Sequence, residues 1–237
     1  RKTKILEDGE FASITPEKVE IFDTEGKSLE KEIFEINWDI ESAEKGGYDH
    51  FMLKEIMEQP AVVKETMRQR IDTASGKVKL GEINLAEEEI KVLDNIYIVA
   101  CGTAYHAGLL GKTLLEDLAG IPVEVDVASE FRYRNPIFKQ NQLVIVISQS
   151  GETADTLAAL RLARQKGVKV LAITNVVGSS VSREADEVLY TWAGPEIAVA
   201  STKAYLTQLV ALYLLAIYFG ELRGSLAPEK AAELVKG

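Results

Sequence analysis

The chain has 237 residues, 46% of them hydrophobic and 27% charged, and a net charge of −10 at neutral pH. That length builds one full core with an appendage, and the acidic balance argues against gripping a nucleic-acid backbone, which needs clustered Lys and Arg to release counterions. A single cysteine, Cys101, excludes an intrachain disulfide framework, and two histidines far apart give no zinc-ligand set, so neither metal nor cofactor is expected.

The stretch from Arg1 to Glu10 is charged throughout and lacks an apolar segment with a cleavage site, so it is no signal peptide, and the cytoplasm is the default location. The longest apolar run, inside Leu206 to Phe219, is shorter than the roughly 20 residues a helix needs to cross a bilayer, so no membrane partner is expected. The first residue is Arg, and the chain stops at Gly237 just after a helical pattern restarts at Pro228. This reads as an excised piece of something longer.

In chain order, Phe11 to Thr15, Val19 to Phe22 and Ile33 to Ile36 predict short antiparallel strands, with turns at Asp8-Gly9 and Glu25-Gly26. So few strands bury little surface, and they are expected to complete a sheet whose remainder lies upstream. After a Gly, Glu and Lys-rich stretch at Glu41 to Tyr48, the apolar residues Phe51, Met52, Ile56, Met57, Val62, Val63 and Met67 recur at helical spacing. They predict a helix, a break at Pro60 and a second helix. A linker continues through Ser75-Gly76 to Glu87, Glu88 and Glu89, an acidic turn suited to the positive end of a helix dipole.

From there strands and helices alternate. Ile96 to Ala100, Val123 to Val127, Leu143 to Ile147, Val170 to Ile173 and Val188 to Tyr190 are strand runs, with helices at Ala104 to Leu118, Thr156 to Gln165 and Ala204 to Phe219. Continuous apolar strands separated by helices imply an α/β fold with a doubly wound, parallel, five-stranded sheet. In such sheets ligands bind beyond the carboxyl ends of the strands near the switch point.

Three loops at such ends carry hydroxyls. Ser148-Gln149-Ser150-Gly151-Glu152-Thr153 opens onto a helix, where free backbone N–H groups and the dipole favour an anion, and Gly151 lets a ligand approach the backbone. A capping box needs only one hydroxyl, so three favour a phosphate. Cys101-Gly102-Thr103-Ala104 repeats the strand, glycine, hydroxyl and helix order and forms a second wall. Cys101 has no nearby His at a suitable spacing and reads as a small residue at a strand end, not a nucleophile. Val199-Ala200-Ser201-Thr202-Lys203 precedes the longest helix and reads as its cap, with Lys203 in a solvated or interface role. Glu152, repelled by a bound phosphate, is expected to point elsewhere. Ser179-Ser180, beyond Asn175, caps a short helix. Phe131-Arg132-Tyr133-Arg134 reads equally as phosphate-seeking guanidinium groups or as surface packing.

These residues resemble the glucosamine-6-phosphate synthases, the isomerising glutamine:fructose-6-phosphate aminotransferases. Ile98-Val99-Ala100-Cys101-Gly102-Thr103, the loop Ser148 to Thr156 and Val199 to Ala204 look like the three sugar isomerase (SIS) motifs, in order. His50-Phe51-Met52-Leu53-Lys54-Glu55-Ile56 and Glu58-Gln59-Pro60 resemble the linker between the glutaminase and isomerase parts. The resemblance implies that residues 1–40 end a glutaminase domain, 41–94 form a helical linker, 95–221 are a flavodoxin-like SIS domain and 222–237 begin the connection to a second one.

It further implies that Ser148, Gln149, Ser150 and Thr153 contact the phosphate of fructose 6-phosphate or glucosamine 6-phosphate. Thr103, Val199 and Ser201 approach the sugar, with Cys101, Gly102 and Gly151 supporting the loops. Ala104 stands where a serine is common, which costs one hydroxyl contact. The glutaminase cysteine does not match Cys101, and the isomerase histidine, glutamate and lysine belong beyond Gly237, so no catalytic residue is expected in the chain. A homodimer is implied. A sugar-phosphate sensor attached to a DNA-binding domain is the rival reading, and the absence of a basic helix-turn-helix pattern weighs against it. Another rival makes the apolar helix Ala204 to Phe219 and the linker chiefly a dimer seam.

Overall fold

The computed structural model describes residues 2–35, 44–72 and 75–236. Its contacts divide the chain into two bodies, residues 1–40 and 41–237.

In the first body β1 (Lys2–Thr3) pairs antiparallel with β5 (Phe34–Glu35), while β2 (Glu10–Ile14), β3 (Val19–Asp23) and β4 (Ser28–Leu29) form an antiparallel sheet. Ile36, the end of the third expected strand, lies outside the described residues. Phe11 pairs with Phe22 across β2 and β3, with ring centroids 5.6 Å apart. Ile21 is buried, but Phe11, Ile14 and Val19 are exposed, so this body has little core.

The second body opens with α1 (Phe51–Met67), which runs straight through Pro60 as one helix, where the sequence predicts a break and two helices. A proline inside a helix loses one hydrogen bond and crowds the preceding turn. Anchors on both sides offset that cost. Before Pro60, Glu55 is buried and accepts from the backbone N–H groups of Ile197 and Ala198. After it, Thr66 Oγ1 donates to Thr191 O at 2.6 Å, and the buried Arg70 donates to Tyr190 O.

A hairpin of β6 (Ile71–Asp72) and β7 (Lys77–Val78) and the short α2 (Glu87–Lys91) follow, and the Glu89 carboxylate accepts from the Ala86 N–H at the start of α2. The main sheet then forms from β8 (Asn95–Ala100), β9 (Val123–Val127), β10 (Gln142–Ser148), β11 (Lys169–Thr174) and β12 (Glu187–Tyr190), joined by α3 (Gly102–Leu114), α4 (Ala128–Phe131), α5 (Ala154–Gln165) and α6 (Ser180–Glu184). A π-helical segment, Leu115–Ala119, extends α3, and α7 (Lys203–Arg223) and α8 (Pro228–Lys236) complete the body.

All four strand pairings are parallel and the order is β12-β11-β10-β8-β9, the five-stranded doubly wound sheet expected from the sequence. Side chains alternate across it. Ile96, Ile98 and Ala100 of β8, with Ile145 and Ile147 of β10, face the core under α2, α3 and α7. Tyr97, Val99, Val144 and Val146 face the core under α4 and α5. Burial on both faces is why these strands read as unbroken apolar runs. Helix α3 lies so close to β8 that a Cβ on Gly108 would sit 2.8 Å from Ile98 Cγ2.

Helix α7 has 21 residues and an apolar stretch long enough to cross a bilayer, longer than the run read from the sequence, yet 56% of that stretch is buried within the protein. Ala211, Leu212, Leu215, Ala216 and Phe219 are fully covered, so α7 is the core helix of this layer.

Candidate functional site

The sheet order reverses between β8 and β10: β8 leads outward to β9 and β10 leads the other way to β11. At such a point the two following loops diverge and leave a crevice. Ala100 is in register with Ile147, so Cys101 and Ser148 leave the sheet side by side. The loop from Ile197 to Thr202 closes the crevice at the start of α7. Together they enclose a cavity of about 200 Å³ lined by Cys101, Thr103 and Ala104 from the first loop, Ser148, Gln149, Ser150 and Thr153 from the second, and Ala198, Val199 and Ser201 from the third. Three segments spread over a hundred positions of sequence meet here, and every phosphate or sugar contact expected from the sequence lies on this wall.

The central loop is held by its own hydroxyls. Ser148 is buried, its Oγ lies 3.0 Å from Thr153 Oγ1, and it accepts from the Gly151 N–H at 3.0 Å. The Glu152 N–H donates to Ser150 Oγ at 3.2 Å. Gly151 has φ +66°, and a Cβ there would lie 2.1 Å from Ser179 Oγ, so glycine is required for both conformation and space. The Glu152 carboxylate turns to the loop after β11 and accepts from the Ser180 N–H at 2.7 Å, away from the crevice as expected. Ser179 caps α6 through the Ser182 N–H, also as expected.

Three helix N-termini meet the cavity, those of α3, α5 and α7; Cys101 at the start of α3 makes no side-chain capping bond, and the other two differ. Thr153 is the N-cap of α5 but its side chain makes no capping hydrogen bond, so the first-turn donors and the dipole remain for an anion. At α7 the expected hydroxyl cap is absent. Thr202 makes no side-chain capping bond, and Glu196 does the work instead, its Oε1 accepting from the Thr202 N–H at 2.9 Å and the Ala204 N–H at 3.1 Å, its Oε2 from Ser201 Oγ at 2.9 Å. Glu196 also lines the cavity, and no lining residue is a lysine or arginine. The anion-seeking side is therefore the one away from α7, where α5 begins.

One further expectation is corrected, and an open alternative is decided. Lys203 is neither solvated nor at a free surface: it is buried, and its Nζ is 2.7 Å from Glu58 Oε2 on α1. The Phe131 to Arg134 run packs beside the site without entering it. Arg132 pairs with Asp155 at 2.8 Å, an ion pair that raises the guanidinium pKa chiefly through that hydrogen bond, and Arg134 pairs with Asp126 and covers the Phe131 ring. Neither arginine lines the cavity. Asn175 is buried and ties the loop after β11 to the backbone of Ala193 and Gly194. Among the described residues no group of three or more His, Cys, Asp or Glu is placed to hold a metal.

The sequence reading missed Glu196 and Gln208, both on the cavity wall. Glu196 lies six residues before its capping partner, a spacing without a standard signature. Gln208, with Thr207, interrupts an otherwise apolar helix, and that interruption was the available signal.

The doubly wound sheet with hydroxyl-rich loops at its switch point is the architecture of one class of α/β domain: a family model described as SIS domain matches residues 89–218, so the chain belongs to that family. It is 61% identical over 234 residues to the glutamine–fructose-6-phosphate aminotransferase [isomerizing] of Clostridium tetani, a match over 99% of this chain and 38% of the relative. The protein of the same name from Thermus thermophilus is 50% identical over 236 residues. Among solved structures, the C-terminal domain of glucosamine-fructose-6-phosphate aminotransferase from Francisella tularensis matches 81% of this chain and 54% of its own at 42% identity, with a TM-score of 0.77. The resemblance seen in the loops and linker therefore extends along nearly the whole chain, which spans about 38% of the length of the curated relatives it matches.

Proposed function

We propose that this chain is the phosphate-anchoring part of an enzyme that makes glucosamine 6-phosphate from fructose 6-phosphate and glutamine. Ser148, Gln149, Ser150 and Thr153 hold the phosphate, and Thr103, Val199 and Ser201 approach the sugar. The observation that carries this reading is the uncapped start of α5, which opens into a cavity walled by five hydroxyls and no basic side chain. Neutral donors and a helix dipole fit a phosphate oxygen without displacing a resident ion pair.

In the longer enzyme, residues 1–40 end a glutaminase domain, 41–94 link it to the SIS domain at 95–221, and 222–237 lead to a second SIS domain. The catalytic groups belong to the remainder of that enzyme, a cytoplasmic homodimer. Phosphate anchoring contributes by orienting the open-chain sugar for imine formation and proton transfer elsewhere. The test is calorimetric titration with glucosamine 6-phosphate, glucosamine and inorganic phosphate, alongside the Ser148→Ala, Ser150→Ala, Thr153→Ala triple variant. Sugar phosphate should bind more tightly than glucosamine, and the triple variant should lose it. Equal binding by a folded triple variant would overturn the assignment.

A further inference from the structure

Gln208 sits in the second turn of α7 and is 2% exposed. Its Oε1 is buried and accepts no hydrogen bond from any described group. An unpaired acceptor in a dry interior is destabilising, and folded proteins retain few of them without a use. Four other buried side-chain oxygens are unpartnered among the described residues, on Glu55, Thr156, Thr174 and Thr202, but none of those residues lines the cavity, whereas Gln208 does. Of its neighbours along the helix, Thr207 donates its hydroxyl to Ala204 O, and Leu206, Leu209 and Val210 have no polar side-chain atom. Two hydroxyls of the wall are already engaged, Ser148 with Thr153 and the loop backbone and Ser201 with Glu196.

We infer that the Gln208 carboxamide is a sugar-reading group of this site, its Oε1 accepting a hydrogen bond from a hydroxyl of the bound sugar phosphate. This rests on the phosphate-loop assignment above and adds a specificity element to it. Phosphate anchoring alone accepts any phosphomonoester of suitable size. A buried acceptor that stays unpaired unless a hydroxyl reaches it rejects the ligands that cannot supply one, because they leave its desolvation unrelieved.

Gln208→Met keeps the length of the side chain and removes the acceptor, and Gln208→Ala is the second variant should the thioether pack poorly. Each is titrated with glucosamine 6-phosphate and with inorganic phosphate, and thermal midpoints are recorded without ligand. The expected result is about fivefold weaker binding of the sugar phosphate, unchanged binding of inorganic phosphate, and a Gln208→Met midpoint at or above that of the unsubstituted chain. A purely structural role would lower the midpoint and weaken both ligands alike, which would overturn the inference. Unchanged affinity for both ligands overturns it while leaving the phosphate loop standing. If the unsubstituted chain binds neither ligand, the phosphate-loop reading falls and this inference falls with it.

Discussion

Lys203 Nζ and Glu58 Oε2 lie 2.7 Å apart, joining the first turn of α7 to the linker helix across 145 positions of sequence. The lysine side chain is 4% exposed and the glutamate 29%. Removing the acid strands a buried ammonium, a change that costs roughly 3–5 kcal/mol when both partners are enclosed. With Glu58 partly wet, Glu58→Gln should cost about 2 kcal/mol, measured by urea denaturation, and Lys203→Met less, since it removes the buried charge itself. Equal midpoints for Glu58→Gln and the unsubstituted chain would show that water already reaches Lys203.

The same helix also holds the loop that closes the cavity ahead of α7. Glu55 Oε1 accepts from the Ile197 N–H at 2.5 Å and the Ala198 N–H at 3.1 Å. Glu55→Ala leaves both donors without this partner and should destabilise by about 3 kcal/mol while weakening sugar-phosphate binding. Glu55→Gln keeps an acceptor and should retain most of both. Denaturation and titration of the pair separate the roles; full stability in Glu55→Ala would mean that the loop is held elsewhere.

Gly151 is constrained twice over, by φ +66° and by a would-be Cβ contact of 2.5 Å with Ser179 Cβ. Gly151→Ala should cost at least about 2 kcal/mol and abolish detectable phosphate binding. Adding Ser179→Gly relieves the clash but not the backbone conformation, so stability should return only in part. Complete recovery would show that space alone demands the glycine.

One acid-sensitive contact lies away from the site. Arg161 donates to both carboxylate oxygens of Glu184, each at 2.7 Å, and this pairing holds the Glu184 pKa below its ordinary value of 4.5. A group whose folded pKa is depressed stabilises the fold above its unfolded pKa and loses that contribution as pH falls through the folded value. Arg161→Gln should therefore lower the thermal midpoint at neutral pH, with the gap closing as pH drops below 4.5. A gap independent of pH would trace the loss to packing instead.

The sheet was legible because β8, β10 and β11 are covered on both faces, which writes their burial into consecutive apolar residues such as Ile96 to Ala100. The hydroxyl-rich loop on the cavity wall was legible because Ser148, Ser150 and Thr153 fall in one short segment between a strand and a helix. What escaped depends on residues distant in sequence. Pro60 signals a break locally, while Glu55, Glu58, Thr66 and Arg70, each bonded to a partner more than a hundred residues away, anchor the chain on both sides of it. Lys203 looks like a solvated first-turn charge until Glu58 is placed beside it. The roles of Glu196 and Gln208 exist only once α7 is set against the crevice.

The different fates of the starts of α5 and α7 give the cavity a direction. At one side the start of α5 keeps its positive pole open, and at the other Glu196 has already spent the pole of α7 on itself. A ligand anionic at one end and neutral at the other matches that gradient in a single orientation. In the proposed seat, a molecule with a phosphate or carboxylate at both ends would set its second anion against Glu196, so sugar bisphosphates and phosphorylated sugar acids are turned away by the same carboxylate that fastens the loop.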